Sequence, residues 1–383
     1  MKKNNLFYSF AAIVNVIFPI LTTPFVAKSV GINGFYDVSM AALVSYIVGT
    51  ISDSGFSFSG AALFAKFNSN QSKINKIISA IKFWQIKIYF ISALFCILLF
   101  RLYLNVGYAF IFIGLIGALF SFFVPPWQFF VKGRGQDYLS AVLFGRIISI
   151  VSLIICEIYL DSTIAIAFCW IVLPGVPLFL FADIKIINVS KIYKKYAFLL
   201  IKENSPARFL MMVYGVIPSM LLGNMYDKNI AGAYMFLDRI RVVGQSLICS
   251  QFPLIAKLRL RNIFYADIFL LCCSVGYFVA YYFVIKISGN NLIDFRQAGA
   301  AFNIWYMFPS IGVVVVLSNY LINVIFKIKK INNAAVVVAL SGVFASIVFL
   351  SCIFFNLEIF WFAANVFLVE FVVLMAAVFF LRK

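Results

Sequence analysis

NIAGAYMFLDRIRVVGQSLICSQFPLIA, Asn229 to Ala256, is an apolar run long enough to cross a bilayer, which takes about 20 mostly apolar residues. Three charges, Asp238, Arg239 and Arg241, lie well inside it. Each should cost about 2.5–3.5 kcal/mol at the centre of a membrane helix. The charges are not scattered. Tyr234, Asp238, Arg241 and Gln245 recur at steps of four, three and four residues, which is one face of a helix. Arg239 and Ser246 flank that face, and Phe236, Ile240, Val243 and Leu247 occupy the other. The run therefore reads as a membrane helix with a polar stripe and a lipid-compatible back.

The rest of the chain agrees with a membrane setting. Of its 383 residues 64% are hydrophobic and 11% charged, against roughly 45–50% and 25% in a soluble domain. This composition predicts an all-α integral membrane protein with no sizeable soluble domain. Histidine is absent, which removes the commonest zinc ligand and the usual near-neutral proton carrier. No metal site is expected. The seven cysteines all sit in apolar runs with no zinc or disulfide spacing, and read as small packing residues. The opening, MKKNNLFYSFAAIVNVIFPILTTP, imitates a secretory signal. Its apolar run is longer than such a signal needs and shows no small-residue cleavage site, so it reads as the first span.

Twelve spans are predicted: 6–27, 38–65, 83–100, 106–131, 139–160, 163–182, 207–223, 229–256, 264–287, 298–326, 332–355 and 358–381. An even number places both termini on one side. Most of the 31 Lys and Arg residues fall on that side, Lys82 among them; only Lys28, Arg101, Lys228, Lys286 and Arg296 fall opposite. The positive-inside rule then makes the termini cytoplasmic. The net charge of +18 is thus mostly topology, and a nucleic-acid partner is not expected. The longest connection, 183–206, contains KIYKKYAFLLIKENS and reads as a basic cytoplasmic linker that skims anionic headgroups, in preference to a partner-docking site. It separates a lobe at 1–182 from a lobe at 207–383. Each lobe opens with a proline-bearing span, VIFP ending at Pro19 and GVIP ending at Pro218, and follows it with I-x-G-x-Y, at Ile32–Tyr36 and Ile230–Tyr234. Two six-helix lobes entering from the same side predict a pseudo-twofold axis along the membrane normal, with substrate between them.

Other polar residues lie deep in apolar runs. Arg146 and Ser149 share a face of the span 139–160, two turns from its cytoplasmic end. Asn15 lies on a stripe with Tyr8, Ala12, Pro19 and Thr22. Asp53 falls in the middle of 38–65 among small residues; pairing with arginine, binding a cation and cycling a proton are all open to it. Glu370 is isolated in a Phe/Val/Leu run, with a packing pair or an ion site as its alternatives. Asp238 can pair with Arg239, Arg241 or another helix and hold the bundle together. That accounts for at most one positive charge, so at least one guanidinium needs another partner or water, and a water-filled, ligand-facing stripe is the preferred reading. Arg146, Arg239 and Arg241 are therefore the candidate substrate-binding cations, with Asn15, Tyr234 and Gln245 as polar lining. Asp53, Asp238 and Glu370 are candidates for charge pairing or ion coupling. No nucleotide-binding loop, nucleophile elbow or zincin motif occurs, so no enzyme is expected. The arginines favour a transporter for an anionic ligand.

Four segments resemble the bacterial polysaccharide-export flippases (O-antigen, Wzx-type) of the multidrug/oligosaccharidyl-lipid/polysaccharide exporter superfamily. They are GINGFY after the first proline-bearing span, FFVKGRGQDYLSAVLFGR (Phe129–Arg146) behind Pro125, Pro126 and Trp127, IAGAYMFLDRI (Ile230–Ile240), and FPLIAKL (Phe252–Leu258). Lys132 stands where that family often has Gln, and Gly135 or Gln136 replaces its acidic residue. The resemblance implies a bacterial inner-membrane flippase that moves an undecaprenyl-diphosphate-linked oligosaccharide by alternating access through a cationic cavity. It also implies membrane lipids and other polysaccharide-assembly proteins as partners. No cofactor is implied; proton or sodium coupling is a candidate driving force. Within the same superfamily an ion-coupled small-molecule or drug antiporter is the alternative, and a membrane-embedded polysaccharide polymerase is a more distant one.

Overall fold

The computed structural model describes residues 2–54, 56, 71–181, 189–250, 275–276, 279, 281–282, 307–328, 344, 347–348, 351 and 358–382. Among them there is no strand. The elements are α1 (Lys2–Asp53), α2 (Gln71–Leu98), α3 (Tyr108–Phe123), α4 (Pro126–Val131), α5 (Gly135–Tyr159), α6 (Thr163–Ile171), α7 (Val176–Phe181), α8 (Lys191–Met225), α9 (Lys228–Ser250), α10 (Met307–Ile328) and α11 (Ile359–Arg382). The predicted spans 264–287 and 332–355 lie almost wholly outside the described residues. Among the described residues, five stretches are long and apolar enough to cross a membrane: Phe10–Asp53, Ser72–Tyr103, Gly135–Tyr159, Thr163–Phe181 and Ile359–Phe379. The chain is a multi-pass, all-helical membrane protein.

The helix ends follow from local chemistry. Gly31, at φ 70° and ψ 171°, breaks α1 where the first two spans were expected to part, a left-handed position that only glycine takes without strain. A π-helical turn, Leu99–Tyr103, extends α2. Within it the Arg101 guanidinium lies 4.8 Å from the Tyr108 ring, an amphipathic pairing suited to a membrane–water boundary. The hairpin between α5 and α6 is closed by Leu160 and Asp161 N–H groups donating to the Cys156 carbonyl. Ser162 then caps α6 by accepting from the Ala165 N–H. Asp227 starts α9 by accepting from the Ile230 N–H at 2.8 Å, which satisfies one of the helix's orphan donors.

The chain divides into two compact units. The first comprises Met1–Asn15 and Asp37–Met212; the second comprises Val16–Tyr36 and Val213–Lys383. In the first, α5 packs on α6, α7 and the 3₁₀ turn Leu173–Gly175, and α3 packs on α2 and α6. Glycines set these distances: a Cβ at Gly145 of α5 would meet the Pro174 carbonyl, and one at Gly114 of α3 would meet the Ala41 carbonyl. In the second, α10 packs against both α9 and α11. Gly232 of α9 lies against the Ile32 carbonyl in the same manner.

Three expectations need correction. The span expected at 83–100 starts at Gln71, so Lys82, counted among loop cations, lies inside α2 and is only 3% exposed. Asp53 is the last residue of α1 rather than its middle, and Ser54 follows in a left-handed conformation. The span expected at 207–223 is the later part of α8, so the basic stretch from Lys191 is helical and continuous with it.

Candidate functional site

In the first unit, Arg146 of α5 is oriented by a chain of neutral groups. Its Nε and Nη2 donate to Asn15 Oδ1 at 3.3 and 2.8 Å. The Asn15 Nδ2 donates in turn to the Tyr138 hydroxyl at 3.3 Å. Tyr138 is buried against Ala11, Val124, Phe129 and Val142, and the Tyr8 ring stacks on it at 5.6 Å. The arrangement follows from helix geometry. Tyr138 and Arg146 lie two turns apart on α5, and Asn15 of α1 reaches both. The Asn15 amide orients the guanidinium without itself supplying a negative charge. A fixed guanidinium with a planar fork of donors is suited to a phosphate or carboxylate.

In the second unit the polar stripe of α9 is present. Asp238 Oδ1 accepts from Arg241 Nε and Nη2, both at 2.7 Å. Arg241 is buried. Tyr234 is also buried, with edge contacts to Phe308 of α10 at 4.9 Å and Phe362 of α11 at 5.6 Å. Tyr234 lies within electrostatic range of Asp238, Arg241, Tyr226 and Glu370. Glu370, isolated in the sequence, is thus a buried neighbour of the stripe. Arg239, next to Asp238 in sequence, interacts with it electrostatically. The set Asp238, Arg239, Arg241 and Glu370 carries no net formal charge, so its polarity is balanced rather than cationic. Gln245 belongs to α9, but its side chain is outside those described.

No protein family and no curated protein matches the sequence. Two solved structures match almost the whole chain. One is an inward-facing conformation of a multidrug resistance MATE family transporter of the MOP superfamily, with a TM-score of 0.65, 12% identity and 97% of each chain covered. The fold is that of the MATE transporters. The other is a MATE in a bent conformation, with a TM-score of 0.52, 12% identity and coverage of 98% of this chain and 92% of that one.

Within this MATE fold the structure adds a polar element that the spacing of charges did not reveal. Ser79, Lys82, Gln85, Tyr89 and Ser92 recur along one face of α2 and all are buried. The Gln85 Nε2 donates to the backbone carbonyl of Asp53 at 3.2 Å, and the Tyr89 hydroxyl donates to the Leu115 carbonyl at 3.1 Å. Steps of three and four residues were the available signal. Lys82 hid it, because placing the span at 83 put the lysine in a loop. Asp53, only 5% exposed, therefore belongs to this α1–α2 contact. Arg146 and Asn15 form a separate group in the same unit. The cysteine reading gains a detail: Cys156 and Cys169 are buried and their sulfurs touch at 3.4 Å.

Proposed function

We propose that the chain is a transporter that moves an undecaprenyl-diphosphate-linked oligosaccharide across the bacterial inner membrane by alternating access. In this reading it has twelve spans in two six-helix lobes, 1–182 and 207–383, with the basic linker 183–206 and both termini in the cytoplasm. It performs no covalent chemistry. The observation that carries the proposal is the Arg146 guanidinium, set inside a membrane helix and oriented by the uncharged Asn15–Tyr138 pair. The MATE-like fold supports transport as the class of function. A diphosphate offers the fork of donors a double acceptor. Arg241 and Arg239 supply further guanidinium donors within a charge-balanced set, with Asp238 setting the orientation of Arg241. The other partners are the surrounding lipids and the proteins that build and polymerise the glycan.

The test is glycan display in cells. Arg146→Ala and Arg241→Ala are expected to reduce it, and Arg146→Lys and Arg241→Lys to retain part of it. Normal display by both alanine variants at normal protein levels would remove the ligand role. A second reading has its own support. The similar solved structure belongs to a multidrug resistance transporter, and Asp238 and Glu370 both lie within electrostatic range of Tyr234. Such acids suit an ion-coupled antiporter for small cations. Proton or sodium coupling through Asp53, Asp238 or Glu370 is compatible with either reading.

A further inference from the structure

The first part of α8, Lys191–Lys202, carries three different faces. At 100° per residue, Tyr193, Ala197, Leu200 and Ile201 fall in a sector about 100° wide. This sector packs on Ile74, Ile77, Ile78 and Ile81 of α2 within one buried cluster. The Trp84 indole N–H fixes the docking by donating to the Lys194 carbonyl at 3.0 Å, and the Lys194 ammonium sits 4.3 Å from the Phe83 ring centre. The other two faces point away from that cluster. Lys191, Lys195 and Lys202 are exposed and fall within about 40° of one another around the axis. Beside them Ile192, Tyr196 and Leu199 fall within about 60°, with exposures of 79%, 38% and 48%.

The three sectors centre about 90–150° apart. A helix in water has no use for a bare apolar row, and a helix among acyl chains has none for a lysine row. A helix at the boundary uses both: apolar residues reach the chains and lysines reach the headgroups. We propose that Lys191–Lys202 is a seat for anionic phospholipid. The lysine row holds headgroup phosphates, and Ile192, Tyr196 and Leu199 lie among the acyl chains beside them. Charge selects the occupant, because a row of ammonium groups favours an anionic leaflet over a zwitterionic one. The seat lies at the start of α8, which continues without a break to Met225. The inference is independent of the transported ligand.

The test uses the full chain in vesicles of phosphatidylcholine alone or with phosphatidylglycerol added. Acylation of Lys191, Lys195 and Lys202, followed by mass spectrometry, is expected to slow about fivefold with phosphatidylglycerol and to recover in high salt. A photoactivatable diazirine in the acyl chain is expected to label Ile192, Tyr196 or Leu199. The triple variant K191Q/K195Q/K202Q should retain its thermal stability and lose the lipid preference of that labelling. Equal acylation rates in both lipids, or no acyl-chain labelling, would overturn the proposal. So would lysine protection that exists in native membranes and vanishes in phosphatidylglycerol vesicles, which would assign the face to a protein.

Discussion

Arg146 shows how one neutral partner sets the chemistry of a buried cation. Asn15 accepts two of its donors without supplying charge. Asn15→Leu should leave those donors short of an acceptor, at a cost of about 1–3 kcal/mol. That would appear as a fall of several degrees in melting temperature in detergent. Asn15→Asp has the opposite character: it keeps an acceptor and adds a negative charge. It should hold the melting temperature within a degree or two while reducing transport of an anionic ligand, because the new ion pair competes for the guanidinium. If Asn15→Asp transports as well as the parent, Arg146 does not meet an anion. The sequence marked both residues as polar members of helical stripes. It had no means of joining them, because residues 131 apart share no periodicity; only the packing of α1 on α5 brings them together. The same applies to Glu370, isolated in its apolar run, which lies within electrostatic range of Tyr234 of α9.

At the scale of elements, close helix contact rests on missing Cβ atoms. Gly145→Ala and Gly232→Ala place a methyl group against a backbone carbonyl of the neighbouring segment. Backbone cannot swing aside as a long side chain can, so each should cost about 1–3 kcal/mol. Gly276→Ala is the matched control, since nothing lies within 4 Å of its Cβ position. Gly31→Ala also meets nothing within 4 Å, yet its φ of 70° makes it costly for another reason, by about 1–2 kcal/mol of backbone strain. Melting temperatures of the four variants should therefore separate into three lowered and one unchanged. A lowered Gly276→Ala, or an unchanged Gly145→Ala, would contradict this account of the packing. Element boundaries were less legible than element existence for a related reason. A hydropathy window reads the lysines of KINKIISAIKFW as loop, because it averages them with their apolar neighbours. The structure keeps that stretch helical because its isoleucines pack against Ala197, Leu200 and Ile201, a contact with no trace in either segment alone. Spans with few charges were legible more closely: the expected 358–381 ends within two residues of Ile359–Phe379, and the expected 139–160 ends within one residue of Gly135–Tyr159 but starts four residues late.

For the whole molecule, the two proposed readings differ in the sign of the ligand's charge. The first unit supplies a guanidinium that donates to the uncharged Asn15 side chain, and the second supplies a set whose acids and bases balance. Protonating Asp238 or Glu370 would make the second set cationic. Neutralising Arg241 through Asp238 leaves Arg239 and Glu370 as the remaining opposite pair. An anionic lipid-linked glycan would use the first unit in its resting charge state, whereas a cationic drug would need the acids of the second to be ionised. In proteoliposomes a fluorescent polyprenyl-diphosphate glycan should therefore cross in the parent protein, and Arg146→Ala should slow it about tenfold, the effect of roughly 1.4 kcal/mol. Asp238→Asn should be mild in that assay if its role is to orient Arg241, and severe if it carries a proton. A cationic dye driven by a proton or sodium gradient should show no uptake above protein-free vesicles. Gradient-driven dye uptake that Asp238→Asn abolishes and Arg146→Ala leaves intact would replace the flippase reading with the antiporter one, because the acids would then be the groups that meet the ligand.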